Sequence, residues 1–413
     1  QTSTMFNRRK AVGPLLLGLL FVGSVTGQQY AFQYYGAEQG LTRLGVREIF
    51  QDREGYLWLS TEGGVFRFDG TRFRPFGAVD GLPFNVLASF GVASDGTLLL
   101  ATESGLYRLV RQRFERLPLP GDPKVSPYGG VVTDPVGDTY VGAANGLWVS
   151  SSLTAGNSPQ WRQIAVSPGD GRSSVRGLSS KGGDIWFVSG AKVFRLAGGR
   201  VQAYDAHGST ADITRRWTGV VVDGQGVQWT VSFGSKVHTR PPSSAIFKPL
   251  TADLPPASGY PIRVDSSGRA LIPTTGGLAI AEGGRLRIVG RDSGLAGAVN
   301  CVFQDREGSL WIGLAGRGLA KWQGYRRWEG FGALNGLDPD VVYAVQPLRS
   351  DWVLAGTESG LFSGRREAER WRWTPDPRFK DMRIRAIRRA ADGAIWVAAE
   401  HAGVARLDSS FRD

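Results

Sequence analysis

The chain has 413 residues, of which 41% are hydrophobic and 21% charged, a balance that is ordinary for a soluble globular protein and unlike that of a disordered one. Glycine is the exception, because 58 glycines are about twice the usual share, and tight β-hairpins need residues that accept a positive φ. The single cysteine excludes an internal disulfide framework, and the net charge of +12 comes mostly from arginine, since only eight of the 49 basic residues are lysine.

The first predicted element is a secretory signal peptide within residues 1–27. Three basic residues, Arg8, Arg9 and Lys10, precede an apolar run at 11–25, and small residues follow it, an order that is typical of exported proteins. The run is short for a helix that spans a bilayer, so we expect cleavage near Gln28 and a periplasmic mature chain. Residues precede Met5 and the chain stops at Asp413, and we expect further sequence beyond it.

From residue 44 onward the sequence repeats about every forty residues. The two clearest units read DREGYLW at 52–58 and DREGSLW at 305–311. Apolar and polar residues alternate between glycine-containing turns, which predicts four short strands per unit. The residues aligned at one second-strand position are Trp58, Leu99, Tyr140, Trp186, Trp229, Leu271, Trp311, Leu354 and Trp396. A repeat of this length built from strands predicts an all-β fold, a β-propeller with one four-stranded antiparallel blade per unit.

A second motif joins an outer strand to the next inner strand. It reads YGAEQGL at 35–41, FGAVDGL at 76–82 and FGALNGL at 331–337. The first copy follows a strand at 31–35 that has no blade of its own, so we expect this strand to complete the last blade and close the ring. The third copy indicates where a second ring of blades begins. We expect Tyr325 to begin a strand that corresponds to the opening strand of the first ring. We predict a seven-bladed ring at 28–323 and the first two blades of a second propeller at 324–413; a single eight- or nine-bladed ring is the alternative.

Few residues have the pattern of a catalytic or metal site. His207, His238 and His401 lie in different units without metal-ligand spacing, and we interpret each as a surface residue. Cys301 lies in an apolar, strand-like run and is expected in the core. No nucleophile elbow or nucleotide-binding loop has the strand-to-helix context that such motifs need. We therefore predict no cofactor, no metal and no catalytic residue.

The repeat resembles the two-component regulator propeller family. The likeness is carried by segment 51–61 and by segment 302–313, each preceded by a Gly-Leu pair; it is strong in units one and seven and weak in units four to six. The resemblance implies a periplasmic sensor region, in which two seven-bladed propellers precede a β-sandwich, a transmembrane helix and a cytoplasmic output such as a histidine kinase or a diguanylate cyclase. We expect membrane contact and homodimer formation only through these C-terminal parts of a full-length receptor.

Candidate ligand-binding residues occupy equivalent positions in the second hairpin of each unit and in the loops between blades. They are Arg43, Glu62, Asn85, Glu103, Asn145, Arg317 and Glu358. We expect these residues on one face of the propeller, where they bind an oligosaccharide or another small extracellular ligand. An anionic ligand fits the abundance of arginine, and export disfavours nucleic acid. Two alternatives stay open: a sialidase-like or other glycan-active enzyme, and a protein-docking scaffold.

Overall fold

The computed structural model describes residues 30–408 except 85, 152, 154–158, 167–173, 206–216, 233–235, 251–253, 283–284, 327–330, 332–335, 338–340 and 368–369. Within these residues every regular element is a β-strand or a single-turn 3-10 helix. The described strands form nine antiparallel sheets, eight of them with four strands and the ninth with three. The prediction of an all-β chain with one sheet per repeat is confirmed. No helix in the described ranges is long and apolar enough to cross a membrane.

The sheets are numbered in the chain order of the repeat units, and the opening strand Phe32–Tyr35 is the fourth strand of sheet seven. Sheet one contains Val46–Gln51, Leu57–Thr61, Gly64–Phe68 and Phe73–Phe76. Sheet two contains Ala88–Val92, Leu98–Thr102, Gly105–Val110 and Arg113–Leu117. Sheet three contains Val131–Thr133, Thr139–Ala143, Gly146–Ser150 and Arg162–Ile164. Sheet four contains Val175–Lys181, Asp184–Ser189, Lys192–Ala197 and Arg200–Tyr204.

The remaining sheets follow the same plan. Sheet five contains Trp217–Val222, Gln228–Ser232, Val237–Arg240 and Lys248–Pro249, and sheet six contains Arg263–Val264, Ala270–Thr274, Gly277–Glu282 and Arg285–Val289. Sheet seven contains Val299–Gln304, Leu310–Leu314, Gly318–Trp322 and the opening strand Phe32–Tyr35. Sheet eight contains Val342–Arg349, Trp352–Thr357, Leu361–Glu367 and Arg370–Pro375, and sheet nine contains Ile384–Arg389, Ile395–Ala399 and Gly403–Leu407. The 3-10 helices are Ala37–Gln39, Ala78–Asp80, Arg291–Ser293 and Pro377–Phe379.

The opening strand joins the two ends of the first seven sheets. It pairs antiparallel with the third strand of sheet seven, with Phe32 opposite Trp322 and Tyr35 opposite Leu319, as the sequence predicts. Consecutive sheets pack side by side from sheet one to sheet seven, and the first strand of sheet seven packs against that of sheet one. These contacts fit a closed ring, whereas the blade counts and the bounds 28–323 and 324–413 stay predictions.

Tyr325 does not begin a strand, in contrast to the prediction. It lies in a turn with 4% of its surface exposed, and its ring centroid is 5.0 Å from that of Trp322. Its hydroxyl donates to Asp265 Oδ2 at 2.9 Å. Sheet six has Leu271 where sheets one, five and seven have tryptophan, so the phenol of Tyr325 supplies the donor that the indole supplies in those three sheets. Packing of the first seven sheets therefore continues beyond residue 323.

The aspartate of the repeat motif closes the turn between the first and second strands. Asp52 Oδ1 accepts the backbone N–H of Tyr56 at 2.9 Å, and Oδ2 accepts the indole N–H of Trp58 at 2.6 Å. The same indole bond joins Asp223 to Trp229 and Asp305 to Trp311, at 2.8 Å in both. Because one carboxylate satisfies both the turn and the indole, the spacing of aspartate and tryptophan in the motif has a structural explanation.

The aligned second-strand residues form the contacts between neighbouring sheets. Eight of the nine are buried, and only Trp396 in sheet nine is exposed, at 43%. Trp58 is fully buried, with its ring 4.8 Å from Phe76 and 5.7 Å from Phe114 of sheet two. Trp58 therefore fills the space between sheets one and two. Burial of such large rings is the main favourable term for a fold made of small sheets.

Candidate functional site

Two faces of the ring carry different turns. The turns between second and third strands, together with the loops between consecutive sheets, form what we call the hairpin face. The turns between first and second strands form the opposite face, which we call the Asp-turn face. As the sequence predicts, Glu62, Glu103, Asn145, Arg317 and Glu358 all lie in turns between second and third strands. Arg43 lies in the loop before sheet one, and Asn85 lies outside the described residues.

A cavity of about 460 Å³ opens on the hairpin face where sheets two, three and four meet. Glu103 lies on its wall, as do Lys124, Ser126, Tyr128 and Arg176. Glu103 comes from the hairpin of sheet two, whereas Arg176 belongs to the first strand of sheet four. The site therefore requires three consecutive sheets, and of its polar or aromatic side chains only Glu103 is a predicted site residue.

The loop at 124–130 forms one wall of this cavity and is held by backbone hydrogen bonds on both sides. Ala144 donates its N–H to the carbonyl of Lys124, and Gly177 donates to the carbonyl of Tyr128, at 2.8 and 2.9 Å. Gly130 donates to Ser89 Oγ at 2.8 Å. Because the loop is bonded to sheets two, three and four, Tyr128 is presented on a preorganised backbone, which lowers the entropic cost of binding.

The cavity combines opposite charges with an exposed aromatic ring. Tyr128 has 37% of its surface exposed, and one carboxylate, Glu103, lines the described part of the cavity together with two cations, Lys124 and Arg176. An aromatic face with a few convergent polar groups is typical of small-ligand sites. Carboxylates accept from hydroxyl groups, while arginine and lysine donate to oxygen acceptors and attract anions. The arrangement suits a polyhydroxylated ligand, and the excess of cations favours one with negative charge.

Glu62 and Arg43 form a second cluster on the hairpin face, in sheet one. The carboxylate of Glu62 pairs with Arg47, whose guanidinium lies 5.0 Å from the ring centroid of Tyr260. The side chain of Arg43 covers Gly63, where a Cβ atom would lie 2.2 Å from Arg43 Cγ. Glycine at this turn therefore allows the arginine to lie across the hairpin. Glu62 is already paired with Arg47, so a ligand has to compete with Arg47 for this carboxylate.

The other three described candidates do not join either cluster. Asn145 Oδ1 accepts the indole N–H of Trp148 at 2.9 Å, so its side chain supports its own hairpin. Glu358 accepts a hydrogen bond from Arg383, the residue before the first strand of sheet nine, at 3.0 Å. Arg317 is exposed in the hairpin of sheet seven, and a Cβ atom at Gly297 would lie 3.2 Å from its Cδ. Equivalent positions in the repeat thus lie in corresponding turns without forming one site.

Sequence reasoning missed most of the cavity because its residues come from loops that do not repeat. Lys124, Ser126 and Tyr128 lie between the outer strand of sheet two and the first strand of sheet three. One signal was available: Tyr128 lies outside the alternating strand pattern, in a segment rich in proline and glycine. An aromatic residue in such a loop has no core to fill, which favours a surface role.

The histidine and cysteine predictions have mixed outcomes. His238 is not a surface residue, because only 2% of it is exposed and its ring meets Trp217 edge-on at 4.8 Å. His401 is exposed in a turn, and His207 lies outside the described residues. Cys301 is buried as predicted, and burial raises the pKa of its thiol. Over the described ranges, no three His, Cys, Asp or Glu side chains come together as a metal site.

Comparison with known proteins identifies the fold. No family profile matches the sequence, and no curated protein matches it. The extracellular domain assigned to the hybrid two-component system BT3049 from B. thetaiotaomicron has a TM-score of 0.61 and 16% identity, over 93% of this chain and 54% of that one. The extracellular domain of BT4673 from the same organism has a TM-score of 0.54 and 18% identity, over 94% and 53%. A catalytically inactive variant of virginiamycin B lyase from Staphylococcus aureus has a TM-score of 0.54 and 14% identity, over 71% and 99%.

These similarities define the class of protein. The chain is a β-propeller protein, and the predicted resemblance to the two-component regulator propeller family is confirmed at the level of the fold. The chain spans about half the length of the two extracellular domains. Identities this low establish shared architecture, and function depends on the particular site grafted onto it.

Proposed function

We propose that this chain is the ligand-sensing propeller region of a two-component-type signal transduction receptor, exported to the periplasm, and that it binds an oligosaccharide. The cavity on the hairpin face carries the proposal, because it combines the exposed ring of Tyr128 with Glu103, Lys124 and Arg176. The similarity to extracellular domains of two-component systems supports the signalling context. In the full-length receptor, ligand binding shifts the packing between propellers or between the subunits of a homodimer.

The cavity suits binding without chemical conversion. Hydrolysis of a glycosidic bond ordinarily uses two carboxyl groups separated by about 5 to 10 Å. Among the described residues that line the cavity, Glu103 is the single carboxylate, and two basic side chains, Lys124 and Arg176, line the same cavity. A sensor needs reversible occupancy, and a site with one acid and an aromatic platform provides it.

The test is isothermal titration calorimetry of the purified protein with two probes, neutral cellotetraose and an acidic tetragalacturonate. We expect the acidic probe to bind more tightly, because the cavity holds more cations than anions. Tyr128→Ala removes the aromatic face and should weaken binding about three- to tenfold. Glu103→Gln keeps the size of the side chain but loses the charged acceptor, and should also weaken binding.

Trp396→Ala is the matched control, since Trp396 is an exposed aromatic residue of sheet nine at 43% exposure and should leave affinity unchanged. Mass spectrometry of the recovered probe checks that no product forms. Cleavage of either probe would indicate that the protein is a glycan-active enzyme. Equal affinity in the Tyr128→Ala variant would show that this cavity is not the site, and failure of both probes to bind would favour a protein-docking scaffold.

A further inference from the structure

Sheet five has a charged residue in a buried cross-strand pair that is apolar in several other sheets. The residue that precedes the aligned second-strand position pairs across to the third strand. In sheets one, four and seven these pairs are Leu57–Phe68, Ile185–Leu196 and Leu310–Trp322, all buried. In sheet five the pair is Gln228–Arg240. Both residues are buried, with 4% and 6% of their surface exposed. Sheet three also has a polar pair here, Thr139–Ser150, but both of its residues are uncharged. The fold accepts apolar residues at this position, so a buried arginine needs another reason.

Arg240 is a buried cation without an anionic partner. Its Nη1 donates to the carbonyl of Ser244, and its guanidinium lies 4.1 Å from the ring centroid of Tyr204. Its Nε is buried and makes no hydrogen bond. No carboxylate of the described residues pairs with it, whereas the nearby Arg195 is paired with Asp184 at 2.6 Å. Burying an unpaired charge is unfavourable, and desolvation accordingly lowers the pKa of Arg240.

Gln228 has a buried side-chain oxygen that accepts no hydrogen bond. Its Nε2 donates to the carbonyl of Gly226, while its Oε1 is buried and has no hydrogen-bond partner. Gln228 and Arg240 are directly opposite each other in the strand register, yet no bond joins them. Since buried polar atoms are nearly always satisfied, a free donor and a free acceptor side by side indicate a position for a third group.

A cavity of about 560 Å³ adjoins this pair, between sheets four and five. Its wall includes Lys181, Asp184 and Arg195 of sheet four, together with Gln228 and Arg240 of sheet five. Three of these side chains are positive and one is negative, so the lining favours an anion. The cavity lies at the turns between first and second strands, on the Asp-turn face. It is therefore separate from the cavity that contains Glu103, which lies on the hairpin face.

We propose that this second cavity binds a small hydroxycarboxylate, whose carboxylate bonds the guanidinium of Arg240 and whose hydroxyl donates to Gln228 Oε1. On one edge of a guanidinium, the Nε–H and a terminal N–H point the same way and can donate to the two oxygens of one carboxylate. The volume is in the range of small-ligand sites. Such a ligand neutralises the buried cation and satisfies both free atoms at once. The site does not depend on the proposed oligosaccharide function.

The test measures thermal unfolding of the purified protein with malate, glucuronate, sulfate or glucose, at an ionic strength fixed by sodium chloride. Malate and glucuronate should raise the melting temperature of the wild type, because they bind only the folded state. Glucose should not, since it has no charge for Arg240. Arg240→Met should abolish the shift, and calorimetry should show affinity weakened about tenfold or more, as expected for a lost charge-assisted hydrogen bond.

Two variants separate binding from folding. Arg67→Met is the matched control, because Arg67 is also stacked on an aromatic ring, 4.4 Å from the centroid of Tyr56, but lies in sheet one; it should keep the shift. The double variant Gln228→Leu with Arg240→Leu copies the apolar pairs and should melt no lower than the wild type, yet should not respond to carboxylates. The proposal is overturned if neither carboxylate shifts the wild type, if sulfate alone does, or if Arg240→Met retains the shift.

Discussion

The bond between an aspartate turn and its tryptophan should be a major source of stability, and Asp305→Ala tests this. Asp305 Oδ1 accepts the backbone N–H of Ser309 at 2.7 Å, and Oδ2 accepts the indole N–H of Trp311 at 2.8 Å. Asp305 and Trp311 are both buried, with 9% and 4% exposure. The substitution removes two hydrogen bonds to a charged group and leaves the indole N–H buried without an acceptor.

Sheet two shows that the turn itself survives this change. It has Ala93 at the aspartate position and Leu99 at the tryptophan position, and its backbone bonds persist: Ala93 donates to Thr97 and Gly96 donates to Ala93, at 2.9 Å each. Asp305→Ala should therefore preserve the backbone and lose only side-chain bonds. Each bond to a charged group contributes about 1.5–3 kcal/mol net. We expect a loss of about 3–5 kcal/mol in the free energy of unfolding.

The assay is a double-mutant cycle in urea, followed by circular dichroism. Trp311→Leu alone should cost about 3–5 kcal/mol, because it removes a large buried ring. The double variant reproduces the pair found in sheet two and removes both the indole N–H and the carboxylate oxygen that accepts it. It should therefore be less destabilised than the sum of the single variants by about 1.5–3 kcal/mol. Additive effects would refute the reasoning, since they would mean that carboxylate and indole contribute independently.

Two further predictions concern acid stability and packing. Burial acts to raise the pKa of Asp265, but hydrogen bonds from the turn and from Tyr325 outweigh it and hold the pKa below its ordinary value. The stabilisation is thus present above the unfolded pKa of about 3.9 and is lost as pH falls through the folded value. Urea unfolding should show Asp265→Asn less stable than the wild type at pH 7, with the difference shrinking as the pH falls below about 4; a constant difference would contradict this. Gly313→Ala would place a Cβ atom 2.3 Å from Cys301 Sγ and should lower stability by about 1–3 kcal/mol. Gly77→Ala is the control, because nothing lies within 4 Å of the added Cβ atom, and it should be neutral in the same denaturation assay. Equal stability of the two variants would contradict the prediction, since it would mean that the core accommodates the added methyl group at no cost in stability.

The repeat made most of the fold predictable from sequence. Each of the nine aligned residues lies on a second strand, and pairing of the opening strand with sheet seven follows from a strand without a blade. The prediction for Tyr325 was wrong because the loss of tryptophan at Leu271 left Asp265 without an indole donor, and a residue distant in sequence took that role. His238 was misplaced for a similar reason, since its ring packs against Trp217 of the first strand of sheet five, two strands away.

The candidate site was less predictable than the fold. Equivalence within the repeat correctly placed five residues in corresponding turns, but similar turns on different sheets are separated in space. Glu103 lies in a cavity because the loop with Tyr128 crosses sheets three and four. Asn145 supports Trp148 instead. A site assembled from non-repeating loops leaves no periodic signal in one sequence.

The amino-acid sequence by itself determined the architecture, because the spacing of glycine turns, alternating strands and the aspartate–tryptophan pair is local and is reinforced in every unit. Only the tertiary structure decided which side chains meet. The cavities at Glu103 and at Arg240 both lie where consecutive sheets pack together, and their walls combine residues far apart along the chain. Local sequence preferences specify each sheet, whereas the charge and volume of a cavity between two sheets depend on how those sheets pack side by side.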